Sequence, residues 1–102
     1  MPSEANTDPK FDIGYVLFID VVGYSKFNID RQTRLLGDLN NIVRGTQQVR
    51  RSEAEGKLVC LPTGDGMALI FRDSAESPAQ SALEISAALR DSGRIQVRMG
   101  IH

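Results

Sequence analysis

The chain has 102 residues, of which 41% are hydrophobic and 25% are charged, and its formal net charge is -1. This length and composition predict one soluble globular domain and are unlike those of disordered or fibrous chains. The near-neutral charge argues against a broad basic surface, so we expect no nucleic-acid partner.

The cysteine content and the lack of long apolar runs bear on location. The single cysteine, Cys60, lies in the apolar run LVCL and has no second cysteine to pair with, which favours a buried thiol over a reactive or metal-bound one. No stretch approaches the roughly 18 apolar residues of a membrane-spanning helix, and residues 1–12 are too polar for a secretory signal. We therefore expect a cytoplasmic location and no membrane contact from this segment.

The first twelve residues, MPSEANTDPKFD, mix proline, serine, asparagine and charges without any periodicity. This pattern predicts a flexible N-terminal tail over residues 1–12, ahead of one domain over residues 13–102.

The first half of this domain predicts a strand followed by a helix. Residues 15–20 are apolar and rich in β-formers, which is typical of a short buried strand. From residue 30 to about residue 52, apolar side chains recur every three or four positions, which predicts one long amphipathic helix with Asp30 as its N-cap. Gly37 and Gly45 weaken that helix, by roughly 1 kcal/mol each if both are interior.

The second half predicts two strands, a helix and a last strand. Residues 57–61 and 67–71 are strand-like and are joined by PTGDG, which suits a hairpin turn. Ser77 and Pro78 read as the N-cap and first position of a second helix. Residues 95–101 alternate well enough for a strand.

The predicted order of strand, helix, strand, strand, helix, strand is the ferredoxin-like βαββαβ plan of an α+β domain. Its helices would pack on one face of an antiparallel sheet. In that topology the first and third strands are antiparallel neighbours, so the end of one lies beside the start of the other. Asp20 ends the first strand and Asp65 begins the third. We therefore expect these two carboxylates to meet at one rim of the sheet.

Such a rim could bind a metal ion and a phosphate together. Two close carboxylates repel each other unless a proton or a cation lies between them, and Mg²⁺ prefers oxygen ligands of this kind. The adjacent turn over residues 21–25 contains Gly23, which would let backbone N–H groups approach an anion. Two-metal sites of this type perform phosphoryl and nucleotidyl transfer. The alternative is that both aspartates only cap turns and that the glycine only lets a strand enter a helix.

Two motifs resemble those of class III nucleotidyl cyclases. FIDVVGYS is similar to the first metal-binding motif of that family, and TGDGMALIF to the second, while the closing VRMGIH looks like the strand that follows. The resemblance extends over residues 15–102. It implies conversion of ATP or GTP to a 3′,5′-cyclic nucleotide and pyrophosphate in intracellular signalling, with Asp20 and Asp65 as the catalytic carboxylates.

The resemblance also implies a set of ligands for the site. Two Mg²⁺ or Mn²⁺ ions would be held by Asp20, Asp65 and the carbonyl of Val21. The nucleotide would be bound by residues of the glycine turn and of the second motif: Val22, Gly23, Tyr24, Ser25, Leu61 and Gly64.

This chain departs from the family pattern in two respects. Family members that read the purine with a lysine carry it four residues before the second metal aspartate, and here that position is Leu61. The family also places a second base-reading residue and an asparagine and arginine pair beyond the position of His102. We therefore expect a domain truncated on its C-terminal side, inactive or nearly so alone. In the family each site forms between two catalytic domains, which implies a second cyclase domain as a homodimer partner.

Two other functions are compatible with the sequence. One is a noncatalytic cyclase-like module that binds nucleotide or dimerises, for which Leu61 is the supporting feature. The other is a different palm-type enzyme, such as a diguanylate cyclase or polymerase relative, although the hairpin reads TGDGM rather than GG[DE]EF. We interpret Arg98 as a residue for structural or partner contacts and Lys57 as a solvated charge.

Overall fold

The computed structural model describes residues 13–102. The predicted tail over residues 1–12 lies outside the described residues. Within the described part, the chain forms four strands, three α-helices and one 3-10 turn. In chain order these are β1 (Tyr15–Val21), the 3-10 turn (Tyr24–Lys26), α1 (Ile29–Arg44), α2 (Gln47–Ala54), β2 (Leu58–Pro62), β3 (Gly66–Phe71), α3 (Ser77–Ser92) and β4 (Val97–Ile101).

The four strands form one antiparallel sheet in the order β2-β3-β1-β4. This order confirms the α+β, ferredoxin-like arrangement, with β1 and β3 as the central pair. Their register places Asp20 opposite Gly66. Just beyond this pair, the Val21 N–H donates to the Asp65 carbonyl at 2.8 Å. The end of β1 and the start of β3 therefore meet at one rim of the sheet.

The core lies between the helices and one face of the sheet. Alternate residues of β1, Leu17 and Ile19, are fully buried there, as the period of two in a strand requires when one face is covered. They pack with apolar residues of the helices and of β3: Leu35, Leu39, Val43, Val49, Ile85, Leu89, Leu69 and Phe71. The intervening residue Phe18 points to the opposite face and is 41% exposed. None of the helices among residues 13–102 is long and apolar enough to cross a membrane.

The helix expected over residues 30–52 is divided in two. Gly45 ends α1, and the next residue, Thr46, has an extended backbone with φ -78° and ψ 154° before α2 begins. The Thr46 hydroxyl donates to the Val43 carbonyl at 2.7 Å, which satisfies a carbonyl at the end of α1. The prediction of one continuous helix was wrong because the apolar period continues through this break.

The N-cap of α1 is Asn28, two residues before the predicted Asp30. The Asn28 Oδ1 accepts a hydrogen bond from the backbone N–H of Arg31 at 2.8 Å, as an N-cap side chain should. Asp30 lies in the first turn, where its charge is favourable to the helix dipole. α3 begins at Ser77 itself, with Glu76 as its N-cap.

A polar network fastens α2 to the connection between β3 and α3. The Asp73 carboxylate accepts hydrogen bonds from the hydroxyls of Ser52 and Ser77, at 2.7 Å and 2.8 Å, and from the backbone N–H of Ser74 at 2.8 Å. Burial alone would raise the pKa of Asp73, but these donors outweigh it and hold the pKa below its ordinary value. The network joins α2 to the β3–α3 connection through polar side chains, which the apolar pattern of the sequence does not predict.

Gly66 allows β3 to lie against β1 at the rim. A Cβ at this position would collide with the carbonyl of Ile19 and would lie 2.9 Å from the Cα of Asp20. These are backbone atoms in a central strand, so they cannot move aside as a flexible side chain can. Close approach of two backbones is one of the reasons for a glycine inside a strand.

We predict that Gly66→Ala destabilises the fold by about 1–3 kcal/mol, because the added methyl group overpacks the β1–β3 contact. Urea unfolding of the 102-residue chain measures this change. The matched control is Gly37→Ala, on α1, where an added Cβ meets nothing within 4 Å. The control should gain about 1 kcal/mol from helix propensity. Equal stability of the two variants would contradict the steric argument.

Candidate functional site

A cavity of about 220 Å³ opens at the rim where β1 and β3 meet. We call it the rim cavity. Eight residues line it: Asp20, Val21, Val22, Gly23, Tyr24, Ser25, Asp65 and Arg98. Every residue that the sequence predicted for metal binding is in this set, together with the whole glycine turn.

The two aspartates face each other at the rim. Asp20 is the next-to-last residue of β1 and Asp65 directly precedes β3, so the antiparallel register brings them together. Both side chains line the same rim cavity. Asp20 is half-buried, whereas Asp65 is exposed.

This arrangement raises the pKa of Asp20 above its ordinary value. Partial burial contributes most, because it penalises the charged form, and the negative charge of Asp65, which can accept a hydrogen bond from protonated Asp20, adds to the effect. The positive charge of Arg98 opposes it. A divalent cation between the carboxylates would relieve the same repulsion, so the electrostatics of the site favour cation binding.

The glycine turn has the backbone geometry of an anion site. Gly23 has φ 72° and ψ 18°, a left-handed backbone conformation that is strained for residues with a side chain. It leads directly into the 3-10 turn. The Gly23 carbonyl accepts a hydrogen bond from the Lys26 N–H at 3.0 Å, which closes that turn. Among the described residues, no backbone carbonyl pairs with the N–H groups of Tyr24 and Ser25. Successive free N–H groups at such a turn form a concavity suited to phosphate oxygens.

Arg98 also lines the rim cavity, although the sequence led us to interpret it as a residue for structural or partner contacts. It lies on β4 directly opposite Asp20 in the β1–β4 register, and it lines the rim cavity rather than a separate contact surface. Residues paired across neighbouring strands share a face of the sheet. The signal was present in the sequence, because the alternation of VRMGI gives the face of Arg98 once the pairing of β4 with β1 is known.

Two predicted nucleotide-binding residues do not line the rim cavity. Leu61, on β2, lines a separate cleft of about 280 Å³ between α1 and the β2 edge of the sheet. Gly64 lies in the β2–β3 hairpin with φ 91° and lines neither space. Cys60 also lines the separate cleft, and burial raises the pKa of its thiol, which disfavours a reactive thiolate.

The donor set at the rim fits a hard divalent cation that is also held by a ligand. Two carboxylates and the backbone of Val21 are available there, and the described residues contain no group of three or more His, Cys, Asp or Glu side chains able to hold a metal by themselves. Mg²⁺ is commonly bound by one or two carboxylates together with substrate phosphates. The residues present therefore suit a cation bound jointly with a phosphate group.

Comparisons with known proteins leave the chain without a family assignment. No protein-family model matches it, and no curated protein matches it. The interpretation of the rim cavity therefore depends on its geometry and on the motifs FIDVVGYS and TGDGMALIF.

We predict that Asp20→Asn makes the fold more stable than the wild type at neutral pH. The pKa of Asp20 is higher in the folded chain than its value of 3.8 for the unfolded chain, so folding favours the protonated form. The ionised group therefore costs stability, a cost that appears as the pH rises above 3.8 and is absent below it. Urea unfolding at several pH values measures this difference.

The stability difference between Asp20→Asn and the wild type should shrink to zero as the pH falls below 3.8, the pKa of Asp20 in the unfolded chain. Asp20→Ala, which also removes the charge but adds no amide, should show the same trend with pH. A wild type more stable than both variants at neutral pH would refute the assigned repulsion.

Proposed function

We propose that this chain is the metal-binding part of a class III nucleotidyl cyclase catalytic domain. The observation that carries the proposal is the convergence of Asp20, Asp65 and the glycine turn on one cavity. These groups come from two motifs far apart in sequence, each of which resembles the corresponding cyclase motif. A chance pair of turn carboxylates would not be expected beside free N–H groups and a strand arginine.

The reaction proposed is conversion of ATP or GTP to a 3′,5′-cyclic nucleotide with release of pyrophosphate. Asp20, Asp65 and the Val21 carbonyl would hold two Mg²⁺ or Mn²⁺ ions. When bound, such ions supply activation of an attacking oxygen and stabilisation of a leaving one. The chain's own residues would position the triphosphate for this chemistry.

The glycine turn and Arg98 are suited to the triphosphate. Backbone N–H groups of Gly23, Tyr24 and Ser25 would donate to phosphate oxygens, and these donors need no side-chain reorganisation. Arg98 would add a positive charge to the same cavity. Because Arg98 faces Asp20 across the β1–β4 pair, it would orient an anion toward the metal-binding carboxylates.

Base recognition and transition-state stabilisation would come from outside the rim cavity. Leu61 cannot donate hydrogen bonds to a purine, and it lines a different cleft. In the proposal, these contacts come from a second cyclase domain in a dimer. The exposed apolar side chains on the sheet face away from the helices, including Phe18 and Val59 at 41% each, are compatible with a partner there.

We predict that the chain binds Mn²⁺ and that Asp20→Asn combined with Asp65→Asn weakens this binding at least about tenfold, a loss of about 1.4 kcal/mol. Isothermal titration calorimetry and Mn²⁺ electron paramagnetic resonance measure it. The matched control is Asp38→Asn, which removes a carboxylate from α1 that does not line the rim cavity. Equal Mn²⁺ affinity in the double variant and the control would remove the basis for a metal site.

Catalysis is tested in a protein that contains this chain together with the base-reading and asparagine–arginine segments of a complete cyclase domain, here called the parent. With Mn²⁺ and ATP or GTP, the parent should release cyclic nucleotide, and the Asp20→Asn, Asp65→Asn double variant should lose this activity. Cyclic nucleotide formation that persists in the double variant would refute the assignment.

The second candidate is a noncatalytic cyclase-like module that binds nucleotide or dimerises. The observation that favours it is the leucine at the position where the related enzymes carry a purine-reading lysine. Metal-dependent nucleotide binding by the parent without any cyclic product would support this module over the enzyme.

A further inference from the structure

A second cleft lies beside the rim cavity, between the start of α1 and the connection from α3 to β4. Its volume is about 240 Å³, and we call it the arginine cleft. Val21 and Val22 line both the arginine cleft and the rim cavity. The Val22 N–H donates to the Gln96 carbonyl at 2.9 Å, which ties this shared wall to the α3–β4 connection.

The charge of the arginine cleft is entirely positive. Arg31 and Arg94 line it, and none of its lining residues is acidic. In the part of the chain that the structure describes, neither guanidinium forms an ion pair or hydrogen bond with a carboxylate. By contrast, Arg44 on the same helix as Arg31 is paired with Glu53. Two unpaired guanidinium groups in one concave site are a recognition feature for an anion.

The Arg31 guanidinium is held in place by an aromatic ring. Its Cζ lies 4.6 Å from the centroid of the Phe27 ring, and Phe27 itself packs against the hydrophobic core. A guanidinium stacked in this way keeps its N–H groups at the ring's edge, free to donate to a ligand. Less conformational entropy is then lost when an oxyanion binds.

The size of the arginine cleft indicates a small ligand. Pockets for drug-sized molecules have volumes of about 300–1,000 Å³, and this cleft is below that range. Its apolar floor, formed in part by Leu35 and Ile95, offers no hydrogen-bond donor to select a larger polar molecule.

We infer that the arginine cleft is a binding site for a phosphate-class oxyanion, distinct from the metal-binding rim cavity. The anion is either free phosphate or a phosphate group of a nucleotide. The site needs neither the carboxylates of Asp20 and Asp65 nor a divalent metal ion, so this inference goes beyond the proposed cyclase function and does not depend on it.

The experiment is an NMR titration of the ¹⁵N-labelled 102-residue chain with inorganic phosphate, in chloride buffer without divalent metals. The largest amide shifts are expected at Val22, Arg31, Arg94 and Gln96. Arg31→Gln combined with Arg94→Gln should weaken the phosphate affinity at least about tenfold, because both charge-assisted contacts are lost. All of the replaced side chains are exposed, and the dispersion of the amide spectrum checks that the variant is folded.

The matched control is Arg90→Gln, which removes an exposed charge from the last turn of α3 outside the cleft. This control should keep the phosphate affinity within about twofold, since a distant exposed charge is screened by salt. Asp20→Asn combined with Asp65→Asn should also retain phosphate binding, which separates this result from the test of the metal site.

A second titration uses ATP in place of phosphate. Saturable amide shifts with free phosphate would identify free phosphate as the ligand. Shifts at the arginine cleft with ATP but not with free phosphate would identify a nucleotide phosphate as the ligand. Either result supports the site if the double arginine variant abolishes the shifts. Three results would overturn it: no shift with either probe, unchanged affinity in the double arginine variant, or shifts confined to residues 23–25 and abolished by Arg98→Gln.

Discussion

The contact between β1 and β3 at Gly66 is the constraint on which the rim cavity depends. Without a side chain at this position, the two central strands approach until Val21 can donate to the Asp65 carbonyl. That hydrogen bond continues the β1–β3 register, and this register brings the two aspartates to the same rim of the sheet. A one-residue slip would move each side chain of β3 to the opposite face and separate Asp65 from Asp20. Hydrophobic burial on the helix side and the position of the acidic pair are therefore fixed by the same backbone pairing.

This pairing brings two negatively charged side chains, Asp20 and Asp65, close enough at the rim to repel each other. The raised pKa of Asp20 indicates that the fold holds its carboxylate where ionisation is unfavourable, and Arg98 offsets only part of the cost. Structural carboxylates have the opposite character, as in the case of Asp73, where donated hydrogen bonds lower the pKa. Perturbed pKa values of groups in clefts cluster at functional sites. The two aspartates therefore differ in what surrounds them: Asp73 is stabilised as a carboxylate by donated hydrogen bonds, whereas Asp20 lies beside a second acidic group, as the proposed metal site requires.

The sequence was sufficient for the topology and for most of the rim cavity. Alternation in β1 and the order of the elements predicted the central pair, and this pair by itself brings Asp20 to Asp65. The division between α1 and α2 was not predictable from periodicity, because the apolar stripe continues through the break and the interaction that ends α1 is a hydrogen bond from Thr46. Arg98 was assigned elsewhere because its role depends on the β1–β4 register, which is a property of the sheet rather than of the local sequence. Leu61 followed from family resemblance alone, and the structure places it at a different cleft.

In the proposed function, the glycine turn would bind the triphosphate through backbone groups rather than side chains. In the glycine turn the donors are main-chain N–H groups, and Val21 would contribute its carbonyl, so side chains such as Val22 and Tyr24 could vary while these groups remain in place. Gly23 is different, because its positive φ is what turns the chain after β1. The same segment forms the shared wall between the rim cavity and the arginine cleft, and its hydrogen bond to Gln96 fixes both sides at once. Under both proposals, the short connection between β1 and α1 would be a backbone wall shared by a metal and phosphate site in the rim cavity and a phosphate site in the arginine cleft.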